Sequence, residues 1–307
     1  MFLSRPRGPL KVLWHEAERL LGGGSALRFR PISFKKLKLF INQNQAEIFS
    51  TMVNPLRQLG RMTIEVVEGS GRAVLFLLEA LATAFLPPFR PRRVLQEIYA
   101  IGVRSTLIII LTAAFTGMVM ALQGYYTLKQ YGSESALGSA VALSLIREMG
   151  PVLTGIMVSA RAGSAVTAEI GIMRITEQLD ALDTMAVNPL QYVVMPKLLA
   201  GVIAVPLLTA IFDVVGILGG YMVGVVLLGV SSGAFFSGMV VSVVSLDVNG
   251  GLVKSLVFGL TIILVACYNG WHTEHGAEGV SRATNQTVVL SAVLVLAWDY
   301  ILTSFFM

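Results

Sequence analysis

The sequence predicts an all-α integral membrane protein in which amino-terminal interfacial helices are followed by about five transmembrane helices. Hydrophobic residues make up 55% of the 307 residues and charged residues only 13%, whereas soluble domains carry about 25% charged residues. The apolar segments also fill the carboxy-terminal two thirds of the chain almost without interruption. These two observations predict a single membrane domain with an amino-terminal extension.

Five apolar segments account for the predicted spans, since a helix needs ~20 apolar residues to cross the hydrocarbon core. The first span lies between Arg104 and Lys129, and the others cover about 149–170, 197–226, 255–271 and 287–306. The predicted division of the chain is an extension over 1–60, interfacial amphipathic helices over 61–104 and a transmembrane domain over 105–307.

The segments before the first span have no membrane-spanning pattern. Residues 1–60 are polar and basic and contain the run GGGS at Gly22–Ser25, so we expect a poorly ordered or partner-bound extension. Charged residues interrupt its start, which predicts no secretory signal. The later run AVLFLLEALATAFL contains Glu79 and is too short to span, which favours a helix lying in the membrane interface.

Basic residues are concentrated at the amino-terminal side. Of the 23 Lys and Arg residues, 16 precede residue 105. Positively charged segments tend to stay in the cytoplasm, so this end of the chain is predicted to be cytoplasmic. Because the basic residues flank apolar helices without interleaved aromatic residues, we predict no nucleic-acid partner.

The second span carries a regular strip of small side chains. These residues recur every four positions, at Gly155, Ser159, Gly163, Thr167 and Gly171. Helices in lipid associate through such small-residue faces, so the strip predicts a packed central helix. The same span contains Arg161 and Glu169, and a charge at mid-depth costs roughly 2.5–3.5 kcal/mol. The two charges either pair with each other and lock the bundle, or face an aqueous cavity.

A second polar set is predicted at the opposite, external side of the membrane. It comprises Arg147 and Glu148 at the start of the second span, Lys254 near the fourth and Asp299 in the fifth. Charges of both signs on three helices suit a hydrated cavity that holds a zwitterionic or anionic headgroup. A structural ion-pair network is the alternative.

A short amphipathic helix is predicted between the second and third spans. Its apolar face carries Leu179, Leu182 and Met185, and its polar face carries Glu177, Asp180 and Asp183. Such a helix on the cytoplasmic surface would let a soluble motor subunit act on the membrane domain. Leu179 and Leu182 are predicted to contact that subunit. A solvated loop helix is the alternative.

Several motifs carry a family resemblance. The segment SAVALSLIREMGPVLTGIMVSARAGSAVTAEIGIMRITEQLDALDTMAVNPL, from Ser139, resembles the signature of the MlaE/YrbE family of ABC-transporter permeases. Further similar pieces are GMVMALQGYYTL at Gly117–Leu128 and GVSRATNQTVVLSAVLVLAWDYILT at Gly279–Thr303. The resemblance extends from about Glu97 to the end of the chain, and the first 50 or so residues match nothing in the family.

The resemblance implies the membrane subunit of a phospholipid-transporting ABC system in the inner membrane of Gram-negative bacteria. Such systems move phospholipid between the inner and outer membranes and maintain outer-membrane lipid asymmetry. The permease is expected to be a homodimer with two cytoplasmic ATPase subunits, a periplasmic MCE-domain ring and often a STAS-domain protein. The chain itself would be no enzyme and bind no cofactor, since ATP binds to the partner ATPase.

The resemblance also implies roles for particular residues. Residues 177–186 would be the helix that couples to the ATPase. The polar set of Arg147, Glu148, Lys254 and Asp299 would lie in or near the lipid cavity, and its apolar wall would include Leu122, Tyr125 and Tyr126. No metal site is expected, because the HTEH run at His272–His275 offers no third ligand.

Two other functional classes compete with this interpretation. An ion-coupled secondary transporter would use charged residues inside spans, for which Asp213, Asp299 and Arg161 are the candidates. A lipid-modifying membrane enzyme would need a nucleophile or a carboxylate pair with a base, and the sequence offers no such constellation.

Overall fold

The computed structural model describes residues 91–306 and, before them, scattered helical residues between positions 60 and 82. The predicted extension over 1–60 lies outside the described residues apart from Gly60, and so does much of the predicted interfacial segment. Within the described part, Phe76 is buried and packs its ring on Tyr268 and Trp271, with ring centroids 5.9 and 5.8 Å away.

The residues from 91 to 306 form α-helices joined by short π-helical, 3-10 and loop segments, without a strand in this range. The helices are α1 (Pro91–Ile98), α2 (Arg104–Gln130), α3 (Leu137–Ser144), α4 (Gly150–Val158), α5 (Ser164–Ile175), α6 (Gln178–Thr184), α7 (Met195–Tyr221), α8 (Ser232–Ser242), α9 (Ser245–Trp271) and α10 (Ala277–Phe306).

Five helical segments in the described part are long and apolar enough to cross a membrane, which confirms the predicted fold class. They are Pro91–Gln130, Glu134–Ile175, Leu190–Leu227, Ser245–Trp271 and Ala277–Phe305. Most run beyond the predicted bounds, because the helices continue through the charged residues at which the prediction ended them. We call the end of the bundle where the first span begins the α1 end, and the end where that span finishes the α8 end.

The third span packs against its neighbours through glycines. A side chain added at Gly117 of α2 would collide with the backbone of Gly216 in α7. On another face of α7, a Cβ at Gly201 would come 3.1 Å from the carbonyl oxygen of Gly259 in α9. Close backbone approach supplies dispersion contacts that substitute for the hydrophobic drive missing in lipid. The third span therefore lies between the first and the fourth.

The small-residue strip of the second span is buried along its whole length, from Gly155 to Gly171. In an ideal α-helix four residues advance about 400°, so a four-residue repeat drifts by about 40° at each step. The segment Ser159–Gly163 in the middle of the strip is π-helical, and a π-turn takes up more residues than an α-turn. This segment corrects the drift, so the small side chains stay on one face, against α9 and α10.

Candidate functional site

Lys254 is the centre of a polar cluster at the α8 end. Its side chain is only 4% exposed, and its Nζ lies 3.0 Å from Glu148 Oε2 and 3.2 Å from Asp299 Oδ1. The same Nζ donates to the hydroxyl of Thr303 at 2.7 Å and to the carbonyl oxygen of Arg147 at 2.8 Å. The second, fourth and fifth spans are thereby joined through one ammonium group.

The backbone bond to Lys254 has a local cause in the sequence. Pro151 has no N–H group, so the carbonyl of Arg147, four residues earlier, lacks its usual α-helical donor. The segment Leu145–Met149 is π-helical at this point. Lys254 supplies a donor to that carbonyl, which fixes the ammonium group beside the irregular turn of the second span.

A pocket of about 270 Å³ opens beside this cluster. Its lining includes Glu148 and Lys254 together with the apolar side chains Val244 and Leu246. Arg147 also lines the pocket and pairs with Asp247 at 2.8 Å, while Asp247 accepts a hydrogen bond from the backbone N–H of Val244. The pocket thus combines charges of both signs with an apolar wall.

The structure brings together only part of the predicted lipid-cavity set. Arg147, Glu148, Lys254 and Asp299 form one connected cluster, although Asp299 does not line the pocket. Leu122, Tyr125 and Tyr126 do not line this pocket, so their role as the apolar wall of a lipid cavity stays a prediction. Tyr125 is buried in the bundle core, and Tyr126 is exposed, because neighbouring residues of a helix point in different directions.

A second lysine cluster lies at the α1 end and was missed in the sequence. Lys197, at the start of the third span, is 1% exposed and donates to both carboxylate oxygens of Glu97 at 2.9 and 3.0 Å. It also donates to Glu169 at 2.8 Å. The signal was a lysine inside the run VVMPKLLAG, which the prediction used only as a span boundary.

The two charges predicted to be buried in the second span do not pair with each other. Glu169 pairs with Lys197 and its side chain is 56% exposed, so its predicted burial is wrong. Arg161 is half-buried and donates from Nη1 to the carbonyl oxygen of Ala100 and to the hydroxyl of Ser105. Each charged side chain instead contacts another span: Glu169 contacts the third and Arg161 the first.

The predicted coupling helix is present as α6, which begins at Gln178, so Glu177 precedes it. Glu177 and Ala186 flank the helix, both with a left-handed φ of 58°. Leu179 is 2% exposed and belongs to the bundle core, and Leu182 packs against that core. Burial makes Leu179 unavailable to a motor subunit, whereas Leu182 is half-buried and its contact stays a prediction. Asp180, Asp183 and Met185 are exposed.

A pocket of about 380 Å³ lies between α6 and the Lys197 cluster. Its lining includes Leu182 and Met185 from the α6 segment and Glu97, Glu169 and Lys197 from the cluster. Arg93 of α1 closes another side, where its guanidinium carbon lies 3.5 Å from the ring centroid of Tyr192. The α6 helix, the start of the first span and the start of the third span thus meet in one place.

Comparison with known proteins identifies the family. Residues 94–305 match the family described as Permease MlaE. The chain belongs to the MlaE permease family. Among its relatives, the intermembrane phospholipid transport system permease protein MlaE of Haemophilus influenzae is 43% identical over 256 residues, which are 82% of this chain and 97% of that protein.

Two further relatives extend the comparison. A probable ABC transporter permease protein of Rickettsia bellii is 39% identical over 83% of this chain and 98% of its own length. The chloroplastic protein TRIGALACTOSYLDIACYLGLYCEROL 1 of Arabidopsis thaliana is 33% identical over 70% of this chain and 61% of its own length. The helices described above cover the whole range of the family match, residues 94–305. The residues of both lysine clusters lie within that range.

Proposed function

We propose that this MlaE permease is the membrane subunit of an ABC transporter that moves phospholipid between the inner and outer membranes of a bacterium. The identity to the phospholipid transport permease of Haemophilus influenzae supports the substrate class. The subunit resides in the inner membrane with its amino terminus in the cytoplasm. It works as a homodimer with a cytoplasmic ATPase that hydrolyses ATP, a periplasmic MCE-domain protein and, in the fuller form of the system, a STAS-domain protein.

The observation that carries the proposal within the molecule is the pocket beside Lys254. A buried ammonium group flanked by carboxylates, with an adjoining apolar wall, suits a molecule that is polar at one end and apolar at the other. The pocket lies at the α8 end, which faces the periplasm in the proposed orientation. Phospholipid headgroups would meet the charged side and acyl chains the apolar side.

The first test is the substitution Lys254→Met, measured for bound phospholipid and for thermal stability on the same purified sample. If the cluster contacts headgroups, co-purified phospholipid and transport fall while the melting temperature stays unchanged. If the charges only hold the helices together, removing the lysine strands two carboxylates, which costs about 3–5 kcal/mol. A collapse of stability that Glu148→Gln or Asp299→Asn partly restores would therefore contradict the cavity.

Lys197→Met is the matched control for this experiment. It removes an equally buried lysine from between two carboxylates at the other end of the bundle. We expect it to lower stability without a specific loss of bound phospholipid. Equal loss of phospholipid in both variants would show that lipid retention follows the fold rather than the Lys254 pocket.

The second test concerns the ATPase contact of α6. The exposed side chains Asp180 and Asp183 do not line the pocket beside α6, so Asp180→Arg combined with Asp183→Arg should release the ATPase from the purified complex. Because neither side chain supports the core, the permease should keep its melting temperature. Glu278→Arg, an exposed acidic residue in the first turn of α10, is the control. An intact complex with normal ATP turnover in the double variant would reject the contact.

An ion-coupled secondary transporter is not favoured. Two of the three residues that it would use have structural partners: Asp299 pairs with Lys254, and Arg161 is held by Ala100 and Ser105. Several relatives, among them the one from Rickettsia bellii, are named as ABC transporter permeases. Transport that persists in vesicles without nucleotide, driven by an ion gradient, would reverse this conclusion.

A further inference from the structure

Asp213 of α7 carries a buried carboxyl oxygen without a partner. The residue lies inside the third span, within one turn of the buried residues Thr209 and Gly216. Its Oδ1 is inaccessible and accepts no hydrogen bond, and Asp213 forms no ion pair with any described residue. An acidic group inside a span is costly when nothing compensates it, so a partner or a proton is required at this position.

The carboxyl group of Asp213 contacts the irregular turn of the second span. A Cβ at Gly150 would collide with Oδ1 of Asp213. The same Cβ would lie 2.9 Å from the carbonyl oxygen of Leu145, which accepts the backbone N–H of Gly150 and so closes the π-turn Leu145–Met149. Three residues further along α7, a Cβ at Gly216 would lie 3.0 Å from Leu145 Cδ1. The third span therefore packs closely on this turn.

The two oxygens that border Gly150 are both acceptors if Asp213 is ionised. A carboxylate and a carbonyl oxygen offer no hydrogen to each other, and their negative charges repel in a low-dielectric setting. A protonated carboxyl group has one O–H to donate, and the carbonyl oxygen of Leu145 has a second lone pair beside the one that Gly150 uses. A proton on Asp213 thus converts a repulsive contact into a favourable one.

The fourth span holds the same turn through other backbone groups. Lys254 donates to the carbonyl oxygen of Arg147 at 2.8 Å, and a Cβ at Gly251 would lie 2.5 Å from the carbonyl oxygen of Ile146. The turn carries Arg147 and Glu148, which line the pocket beside Lys254. A bond from the third span would fix the turn between two neighbouring spans.

We propose that Asp213 is protonated and donates a hydrogen bond to the carbonyl oxygen of Leu145. This bond holds the π-turn Leu145–Met149 in place and thereby sets the positions of Arg147 and Glu148 in the pocket. Asp213 is a positioning residue, since it does not line the pocket itself and acts through the turn. Its consequence for lipid rests on the proposed function, whereas the hydrogen bond does not.

Infrared difference spectroscopy of the full chain in detergent tests the proton. The spectrum of the unmodified chain minus that of Asp213→Asn should contain the C=O stretch of a protonated, hydrogen-bonded carboxyl group at neutral pH. Glu278→Gln is the control, because it removes an exposed carboxylate paired with Arg282 and should remove no such band. A missing band, or a band at the higher frequency of a free carboxyl group, would overturn the proposal.

Amide hydrogen exchange tests the effect on the turn. Asp213→Leu has a similar size but no donor, so exchange over residues 145–155 should become about fivefold faster, which corresponds to about 1 kcal/mol for one hydrogen bond. Asp213→Ala, which adds no bulk, should accelerate exchange as well. Asp213→Asn keeps a donor and should exchange like the unmodified chain, and residues 277–306 should be unchanged in all variants. Equal exchange in Asp213→Asn and both apolar variants would contradict the bond.

Bound phospholipid, measured on the same samples, connects the turn to the pocket. It should fall in Asp213→Leu and stay unchanged in Asp213→Asn. Unchanged phospholipid in Asp213→Leu despite faster exchange, or an equal loss in both variants, would show that Asp213 does not position the pocket. If the unmodified chain retains no phospholipid, the proposed function fails, while the infrared and exchange results still decide the role of Asp213.

Discussion

Two buried lysines in the described part of this permease, Lys197 and Lys254, have similar surroundings and different partners. Lys197 directs its donors to the carboxylates of Glu97 and Glu169. Lys254 lies near two carboxylates as well, but it donates to the hydroxyl of Thr303 and to a backbone carbonyl. Removing Lys197 leaves its carboxylates without that partner, whereas Glu148 keeps its bond from Thr303 after the loss of Lys254.

This difference indicates which lysine can exchange a protein partner for a ligand. Lys197 of α7 binds only carboxylates, one on α1 and one on α5, and so acts as a fixed joint between these three helices. A lysine that shares its cluster with a hydroxyl and an open pocket can exchange a partner for a ligand without leaving every charge unpaired. If the proposed function holds, we expect the α1 end to contribute mainly stability and the α8 end to contact the ligand.

The largest expected effect separates the two lysines. Lys197→Met should lower the free energy of unfolding by about 3 kcal/mol, the lower end of the range for breaking a buried pair, since Glu169 remains partly solvated. Thermal unfolding in detergent measures the change, and Glu97→Gln added to Lys197→Met should restore part of it. A loss no larger than that of Lys254→Met would remove the distinction between the clusters.

A smaller effect is expected from a substitution in the packed small-residue strip of the second span. A Cβ at Gly163 would lie 3.4 Å from Ile262 and 3.7 Å from Thr287, so Gly163→Leu places a large side chain in a filled interface. Overpacking of this kind costs about 1–3 kcal/mol. Folded yield and melting temperature should both fall, and transport should be lost. Ala165→Leu, at an exposed position of the same span, is the control. Normal yield and activity in Gly163→Leu would place this face against lipid.

The smallest effect concerns an ion pair near the Lys197 cluster. Arg174 and Asp180 pair at 2.8 Å, but their side chains are 42% and 62% exposed. Exposed pairs contribute about 0–1 kcal/mol, so Arg174→Gln should shift the melting temperature only slightly, and high salt should erase the shift. A loss comparable to that of Lys197→Met would show that the whole α1 end, rather than the buried lysine, determines stability.

The fold was predictable from the sequence, while much of the site was not. Apolar length alone gave five spans, and the four-residue repeat identified the packed face around Gly163. Glu97 lies 100 residues from its partner Lys197, and Asp247 lies 100 residues from its partner Arg147. Such pairings depend on how the spans are arranged, and a single sequence carries no record of that arrangement.

The apolar and charged faces of α6 show a different limit of sequence-based prediction. The periodicity predicted an amphipathic helix between the second and third spans, and the helix is there. Periodicity cannot say which face meets the protein's own core and which meets a partner. Leu179 is a core residue, so the surface open to a partner is the one that carries Asp180 and Asp183.

The left-handed residues that flank α6 have a mechanical consequence. Glu177 and Ala186 both hold a conformation that costs an L-residue with a side chain roughly 1–2 kcal/mol. Glycine would adopt this conformation freely, but neither position is a glycine. The packing around each residue must therefore hold it in this conformation. A load applied to the outer surface of α6 would therefore tilt the helix as a stiff lever. Its displacement would pass to the ends of the second and third spans instead of being absorbed in the connections.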